Sequence, residues 1–194
     1  MYSYLKGKLV EKTPTYVTLD VNGIGYQIHI SLNTYAQIGD KEDCKLLCHF
    51  VVREDTQLLY GFFTENERIL FRHLISVSGV GANTARLILS SMTTEDLFSV
   101  ITTGNANTLQ SVKGIGGKTA QRIIIDLQDK LGKQEVLTEN LSVSHNTKRD
   151  EALSGLVILG FNKNVAIRTL DKIIAEEGAD ISVEQLIKSS LKAL

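Results

Sequence analysis

Leu74-Ile-Ser-Val-Ser-Gly-Val-Gly-Ala-Asn-Thr-Ala-Arg-Leu-Ile-Leu89 returns 35 positions later as Leu109-Gln-Ser-Val-Lys-Gly-Ile-Gly-Gly-Lys-Thr-Ala-Gln-Arg-Ile-Ile124, with eight of sixteen positions identical. A repeat this regular is one supersecondary unit used twice. Its shared core, Gly-(Val/Ile)-Gly-x-x-Thr-Ala, is Gly79, Val80, Gly81, Thr84 and Ala85 in the first copy and Gly114, Ile115, Gly116, Thr119 and Ala120 in the second. Apolar residues at helical spacing flank each core, so each copy reads as two helices joined by a glycine turn.

The glycines point to phosphate chemistry. They permit backbone conformations that other residues resist, so successive N–H groups can face one concavity at a helix N-terminus. The helix dipole favours an anion there, and no Cβ blocks its approach. Val80 and Ile115 then turn inward to pin the turn, while Ala85 and Ala120 let the helices pack closely. This is the helix-hairpin-helix signature, and two tandem copies grip duplex phosphates without reading base edges. The formal net charge of −1 argues against a generally basic protein. The local distribution differs: no Asp or Glu lies between Glu67 and Glu95, where Arg68, Arg72 and Arg86 stand, nor between Asp96 and Asp126, where Lys113, Lys118 and Arg122 stand. The candidate DNA-binding residues are therefore Gly79, Gly81, Asn83, Arg86, Gly114, Gly116, Gly117, Lys118, Thr119 and Arg122.

Gly117-Lys118-Thr119 also resembles the end of a nucleotide-binding P-loop. That pattern needs a glycine five residues before Gly117, where Val112 stands, and a strand rather than a helix ahead of it. No ATP site, catalytic residue or cofactor is expected. Cys44 and Cys48, on one face of a strand, lie roughly 13 Å apart, too far to share a disulfide or a metal. They read as buried packing residues. With His29, His49, His73 and His145 scattered singly, no metal site is expected. The absence of a long apolar run or a leader-like start predicts a soluble, cytoplasmic protein.

Outward from the repeat, residues 1–63 alternate with period 2 and are rich in β-branched and aromatic residues. Strands are expected over Tyr2–Val10, Tyr16–Val21, Gly25–Ile30, Lys45–Val52 and Gln57–Phe63, with turns at Thr13-Pro14, Asn22-Gly23 and Gly39-Asp40. Gly23-Ile-Gly25 is read as hairpin turn geometry rather than a phosphate loop. Five short strands predict an OB-fold barrel. At Thr64 the pattern turns helical, Thr64-Glu-Asn-Glu67 forming a capping box. Thr94 is expected to cap a helix ending at Gly104, and Thr119–Leu131 a helix closed by Gly132. Residues 64–132 thus form an all-α tandem hairpin domain. The polar stretch 133–148 reads as a mobile linker. Residues 149–194 read as a three-helix module: Arg149–Leu159 stopping at Gly160, Val165–Glu177 stopping at Gly178, and a helix begun by Ser182-Val-Glu-Gln185. The fold class is multidomain α+β.

Phe50-Val-Val-Arg-Glu-Asp-Thr-Gln-Leu-Leu-Tyr-Gly-Phe62, the two hairpins, Gly23-Ile-Gly-Tyr26 and Leu159-Gly-Phe161 together resemble the RuvA family, over nearly the whole chain. The resemblance implies a non-enzymatic homotetramer that holds a Holliday junction opened into a square, pairing of tetramers into an octamer being left open. It implies RuvB, a hexameric ATPase, as the motor partner in branch migration, and admits RuvC resolvase as a further partner. Recombination, repair and the SOS response follow as settings. Glu54 and Asp55 match the family's acidic pin, two carboxylates that repel phosphates at the crossover. Leu156, Leu159 and Phe161 are expected to contact the motor, with the linker giving the module reach. The sequence departs from the family at Asn83 and Gly117, where lysine is expected.

Two other readings compete. A repair nuclease or glycosylase docking through the hairpins needs clustered carboxylates or a lysine nucleophile beside an acid. Outside Glu54-Asp55 the tight acidic cluster is Asp40-Lys-Glu-Asp43, in an expected surface turn. A general adaptor would use the hairpins to pack against proteins and show no salt-dependent DNA binding.

Overall fold

The computed structural model describes residues 2–141, 148–178 and 181–194. Two compact units divide the chain, Met1–Gln134 and Glu135–Leu194. The first begins with β1 (Tyr4–Lys12), β2 (Tyr16–Val21), β3 (Ile24–Ile30), α1 (Leu32–Ile38), β4 (Asp43–Val52) and β5 (Gln57–Phe62). The strands close into a barrel in the order β1-β2-β3-β5-β4. β3 and β5 run parallel; β1–β2, β2–β3, β4–β5 and the closing pair β1–β4 are antiparallel. Closure removes the edges on which an open sheet would pair with other chains.

Alternation explains the barrel's interior. Val17, Leu19, Ile28, Ile30, Cys44, Leu46 and Cys48 face inward and are buried. Gly61 is required where β5 meets β3, since a Cβ there would stand 2.5 Å from Ile28 Cγ2. Asn22 and Gly23, at φ 55° and 84°, make the tight β2–β3 turn expected of that pair. The five expected strands are present to within two residues at each end. α1 has no counterpart in the sequence reading; Ser31 caps it by accepting from Thr34 N at 3.0 Å.

The helices that follow are α2 (Glu65–Ile75), α3 (Ala82–Ser91), α4 (Thr94–Thr102), α5 (Ala106–Gln110) and α6 (Gly117–Leu141), the last extending past Gln134. Thr64 caps α2 as expected, accepting from Glu67 N at 3.3 Å. The residue that caps α4 is Thr93, not Thr94: its hydroxyl accepts from Asp96 N at 3.1 Å, which puts Thr94 inside the helix. α6 continues to Leu141, so Gly132 does not close it. A glycine ends a helix only when it leaves helical φ and ψ, and its propensity cost of about 1 kcal/mol does not break a long helix. The first part of the expected linker, 133–141, is therefore helical backbone, and 142–147 lie outside the described residues.

Barrel and hairpins share a core. Tyr60 and Phe62 of β5 turn away from the barrel interior onto Phe71 of α2, with ring centroids 5.1 and 4.9 Å away. The second unit holds α7 (Lys148–Ile158), α8 (Lys163–Glu177) and α9 (Val183–Ala193) around buried Ala152, Leu156, Ala166, Leu170, Ile173 and Leu186. Gly160 and Gly178 stand at φ 97° and 91° after α7 and α8, as the stop signals suggested. Among the described residues, no helix is long and apolar enough to cross a membrane.

Candidate nucleic-acid interface

The two repeat copies fold alike down to individual hydrogen bonds. Val80 N donates to Val77 O at 3.0 Å, and Ile115 N to Val112 O at 3.0 Å. One turn on, Ala85 N donates to Gly81 O at 2.9 Å and Ala120 N to Gly116 O at 3.0 Å. Gly79 and Gly114 both take left-handed backbone, φ 91° and 90°, with open space where a Cβ would point. Val80 and Ile115 are buried, and Ala85 and Ala120 wholly so. Each copy thus exposes a glycine turn ahead of a helix, α3 in the first and α6 in the second.

The α3 N-terminus is left open. Its N-cap Gly81, at φ −82° and ψ 167°, supplies no side-chain acceptor, so the first N–H groups of α3 have no cap from that residue. Among the described residues, Lys113 and Lys118 are exposed and form no ion pair. Thr119 lies half-buried in the first turn of α6, and Gly116 and Gly117 are exposed. Arg122 donates to Ser78 O at 3.3 Å, tying α6 to the turn of the first hairpin.

Two expected contacts are occupied within the protein. Arg86 reaches the barrel, its Nη1 donating to Thr15 O at 2.8 Å and Ile30 O at 3.5 Å, while its Nε is buried without a partner. That charge fastens α3 to the barrel. Asn83 Oδ1 accepts from Tyr60 Oη at 3.3 Å.

Glu54 and Asp55 form the exposed tip of the β4–β5 hairpin, closed by Arg53 N donating to Thr56 O at 2.8 Å. The tip stands beside the first hairpin motif: Arg53, Asp55 and Thr56 line an open pocket of about 400 Å³ with Gly81, Ala82 and Asn83. Arg53 was not among the residues expected from sequence. Only the fold brings it there, although a basic residue next to the Glu54-Asp55 pair was a visible hint.

In the second unit Leu156 is fully buried and Phe161 packs half-buried against the same core. A side chain without exposed surface cannot touch a partner while its module stays folded, so Leu156 is a core residue. Leu159 is 59% exposed and its neighbour Ile158 85%, an apolar pair the sequence reading named only in part.

Fold and repeat define a class: a closed five-stranded barrel carrying tandem helix-hairpin-helix motifs, followed by a small helical module. Residues 1–61 match the family described as RuvA N terminal domain, 71–129 the SAM-like helix-hairpin-helix tandem, and 147–194 the RuvA C-terminal domain. The chain belongs to the RuvA family. It is 48% identical over 198 residues to the Holliday junction branch migration complex subunit RuvA of Christiangramia forsetii, covering 100% of both chains. It is 46% identical over 194 residues to the subunit of that name from Flavobacterium psychrophilum, again covering 100% of both. The Cytophaga hutchinsonii subunit is 45% identical over 197 residues, 99% of each chain.

Proposed function

We propose that this protein binds four-way DNA junctions by their shape, as a homotetramer, and presents them to the RuvB ATPase, which drives branch migration during recombination and repair in the cytoplasm. The observation that carries this reading is the duplicated hairpin, two open glycine turns in stretches of sequence without Asp or Glu, the first of them next to a tip bearing Glu54 and Asp55. Backbone N–H groups at Gly79, Gly81, Gly114, Gly116 and Gly117 meet phosphates. Lys118 and Arg122 add charge, and Thr119 and the Nδ2 of Asn83, whose Oδ1 is taken by Tyr60, add polar contacts at the helix starts. Such binding is blind to base sequence and weakens steeply with salt. Glu54 and Asp55 repel duplex from the crossover and so favour an open junction.

Fourfold repetition multiplies weak hairpin contacts into tight binding on a junction with four arms. The protein supplies no nucleotide hydrolysis; Gly117-Lys118-Thr119 begins a helix that follows α5, a helix rather than a strand. Motor docking falls to the C-terminal module through Leu159 and Ile158, with Phe161 buttressing them from the core. RuvC resolvase and a second tetramer are the further partners this reading admits.

The test is a gel-shift comparison of a four-way junction with linear duplex of matched length across a salt series, with the mass of the free protein from sedimentation. Junction preference that fades with salt, and a four-chain mass, are expected. Equal affinity for both DNAs removes the junction reading. Cleavage of the junction in magnesium points instead to a hairpin-docked nuclease.

A further inference from the structure

The two hairpins are alike in backbone and unlike in charge. At the second residue after the last shared glycine, the second copy carries exposed Lys118 and the first carries Asn83, whose carbonyl oxygen accepts from Tyr60. Arg86, one turn into α3, is spent on Thr15 and Ile30 carbonyls. Ser78 stands where the second copy has Lys113. The first hairpin therefore has the geometry of a phosphate site without a free cation of its own in its glycine turn or the first turn of α3.

Two cations reach it from other elements: Arg122 of α6, which donates to Ser78 O at 3.3 Å, and Arg53 of the barrel. Arg53, the first residue after β4, projects toward α3 so that its Nη2 lies 3.9 Å from where a Cβ on Gly81 would be. It lines the same open pocket as Gly81, Ala82 and Asn83, a pocket that Asp55 also lines. Glu54 and Asp55 follow it directly in sequence, yet among the described residues Arg53 forms no ion pair with them or with any other carboxylate. Its guanidinium is exposed beside the uncapped N-terminus of the ten-residue helix α3.

We infer that Arg53 supplies the missing charge of the first hairpin: a phosphate held there is gripped by α3 backbone N–H groups from one side and by the barrel's arginine from the other. Guanidinium geometry suits two oxygens of one phosphate. The arrangement makes the first phosphate site composite between barrel and hairpin, whereas the second is built within its hairpin. It also places a phosphate anchor immediately before the two repelling carboxylates, so one turn holds the strand and then deflects it. This inference rests on the reading of the hairpins as phosphate sites.

The experiment measures binding of the full-length protein to a fluorescent immobile four-way junction by anisotropy across a potassium chloride series. Arg53→Gln is expected to weaken binding roughly tenfold, the size of one charge-assisted hydrogen-bond set, and to lower the salt slope by about one per engaged subunit. Arg53→Lys retains the slope. Asn83→Lys, introduced into Arg53→Gln, restores it by returning a cation to the hairpin. The loss persists when Glu54→Gln and Asp55→Asn are also present, which separates a phosphate contact from simple neutralisation of the tip. Melting temperatures of all variants stay near that of the parent. Parental affinity and slope in Arg53→Gln, failure of Asn83→Lys to rescue, or disappearance of the loss in the neutralised tip each overturns the inference. Lys118→Gln is the reference: if it weakens binding while Arg53→Gln does not, only the role of Arg53 fails, and if neither does, the phosphate reading of both hairpins fails.

Discussion

Gly79 and Gly114 take a φ near 90° that an L side chain resists, and nothing crowds the space beside them. The cost of Gly114→Ala is therefore conformational rather than steric, about 1–2 kcal/mol, and is expected as a lowered melting temperature. Gly81 differs, because its φ of −82° suits any residue and the nearest atom to an added Cβ is 3.9 Å away. Gly81→Ser should hold or raise stability by a few tenths of a kcal/mol by capping α3, while weakening junction binding by filling the turn. A variant that is both stable and fully binding would remove Gly81 from the interface. Glu67 makes the third residue-scale case. It is buried, accepts from Ser31 Oγ and, at 2.6 Å, from Thr34 Oγ1, and pairs with no cation among the described residues. Burial raises its pKa, opposed by these two hydroxyls. A raised carboxyl pKa means that the folded state holds its proton longer than the unfolded chain. Its stabilising share is present at acid pH and is lost as pH rises from the ordinary carboxyl range through the raised value. Glu67→Gln is expected to gain in melting temperature relative to the parent as pH increases from about 4.5, and a pH-independent difference would sink this account. The glycine spacing was legible because a repeat announces itself. Glu67 was legible only as a capping-box partner of Thr64, since α1, which receives it instead, is seven residues long and leaves little periodicity.

Between elements, α3 is attached to the barrel by an arginine that sequence alone assigns to DNA. Arg86→Met, which keeps the apolar stem and removes the bonds to Thr15 and Ile30 carbonyls, should cost about 1–3 kcal/mol. The salt slope of junction binding should stay as it was. A reduced slope at unchanged stability would return Arg86 to the phosphate-contacting set. Strand and helix alternation was readable in every element but the short α1 because each buries one face, as in β4, where Cys44, Leu46 and Cys48 point inward in turn. Helix ends were less readable. Thr93 and Thr94 are equally good caps by type, and backbone geometry chooses between them. Gly132 looked like a stop, but α6 carries its helical hydrogen bonding through it.

For the molecule as a whole, the proposed docking role of the C-terminal module is separable from its folding. Leu156→Ala removes a fully buried side chain and should cost about 2–5 kcal/mol, enough to unfold a module this small. Ile158→Ser with Leu159→Ser removes exposed apolar surface and should leave its melting unchanged while abolishing stimulation of RuvB on junction DNA. Junction affinity, which the proposed function assigns to the first unit, should persist. Parental stimulation in the double variant would move the docking surface elsewhere on the module.

The sequence by itself determined the order of the parts, the five strands and all the helices but α1, the duplicated hairpin and the stretches without Asp or Glu that contain it. These follow from periodicity, glycine spacing and charge placement, which act over a few residues. The tertiary structure alone decided which charged and polar side chains remain available. Arg86 and Asn83 are tied to Thr15, Ile30 and Tyr60, between 23 and 71 positions away, and Arg53 reaches Gly81 only because the β4–β5 turn is held against the first hairpin. Such pairings arise from barrel closure and a shared core. Nothing in the local pattern of a chain records them, because a side chain's partners depend on where distant segments come to rest.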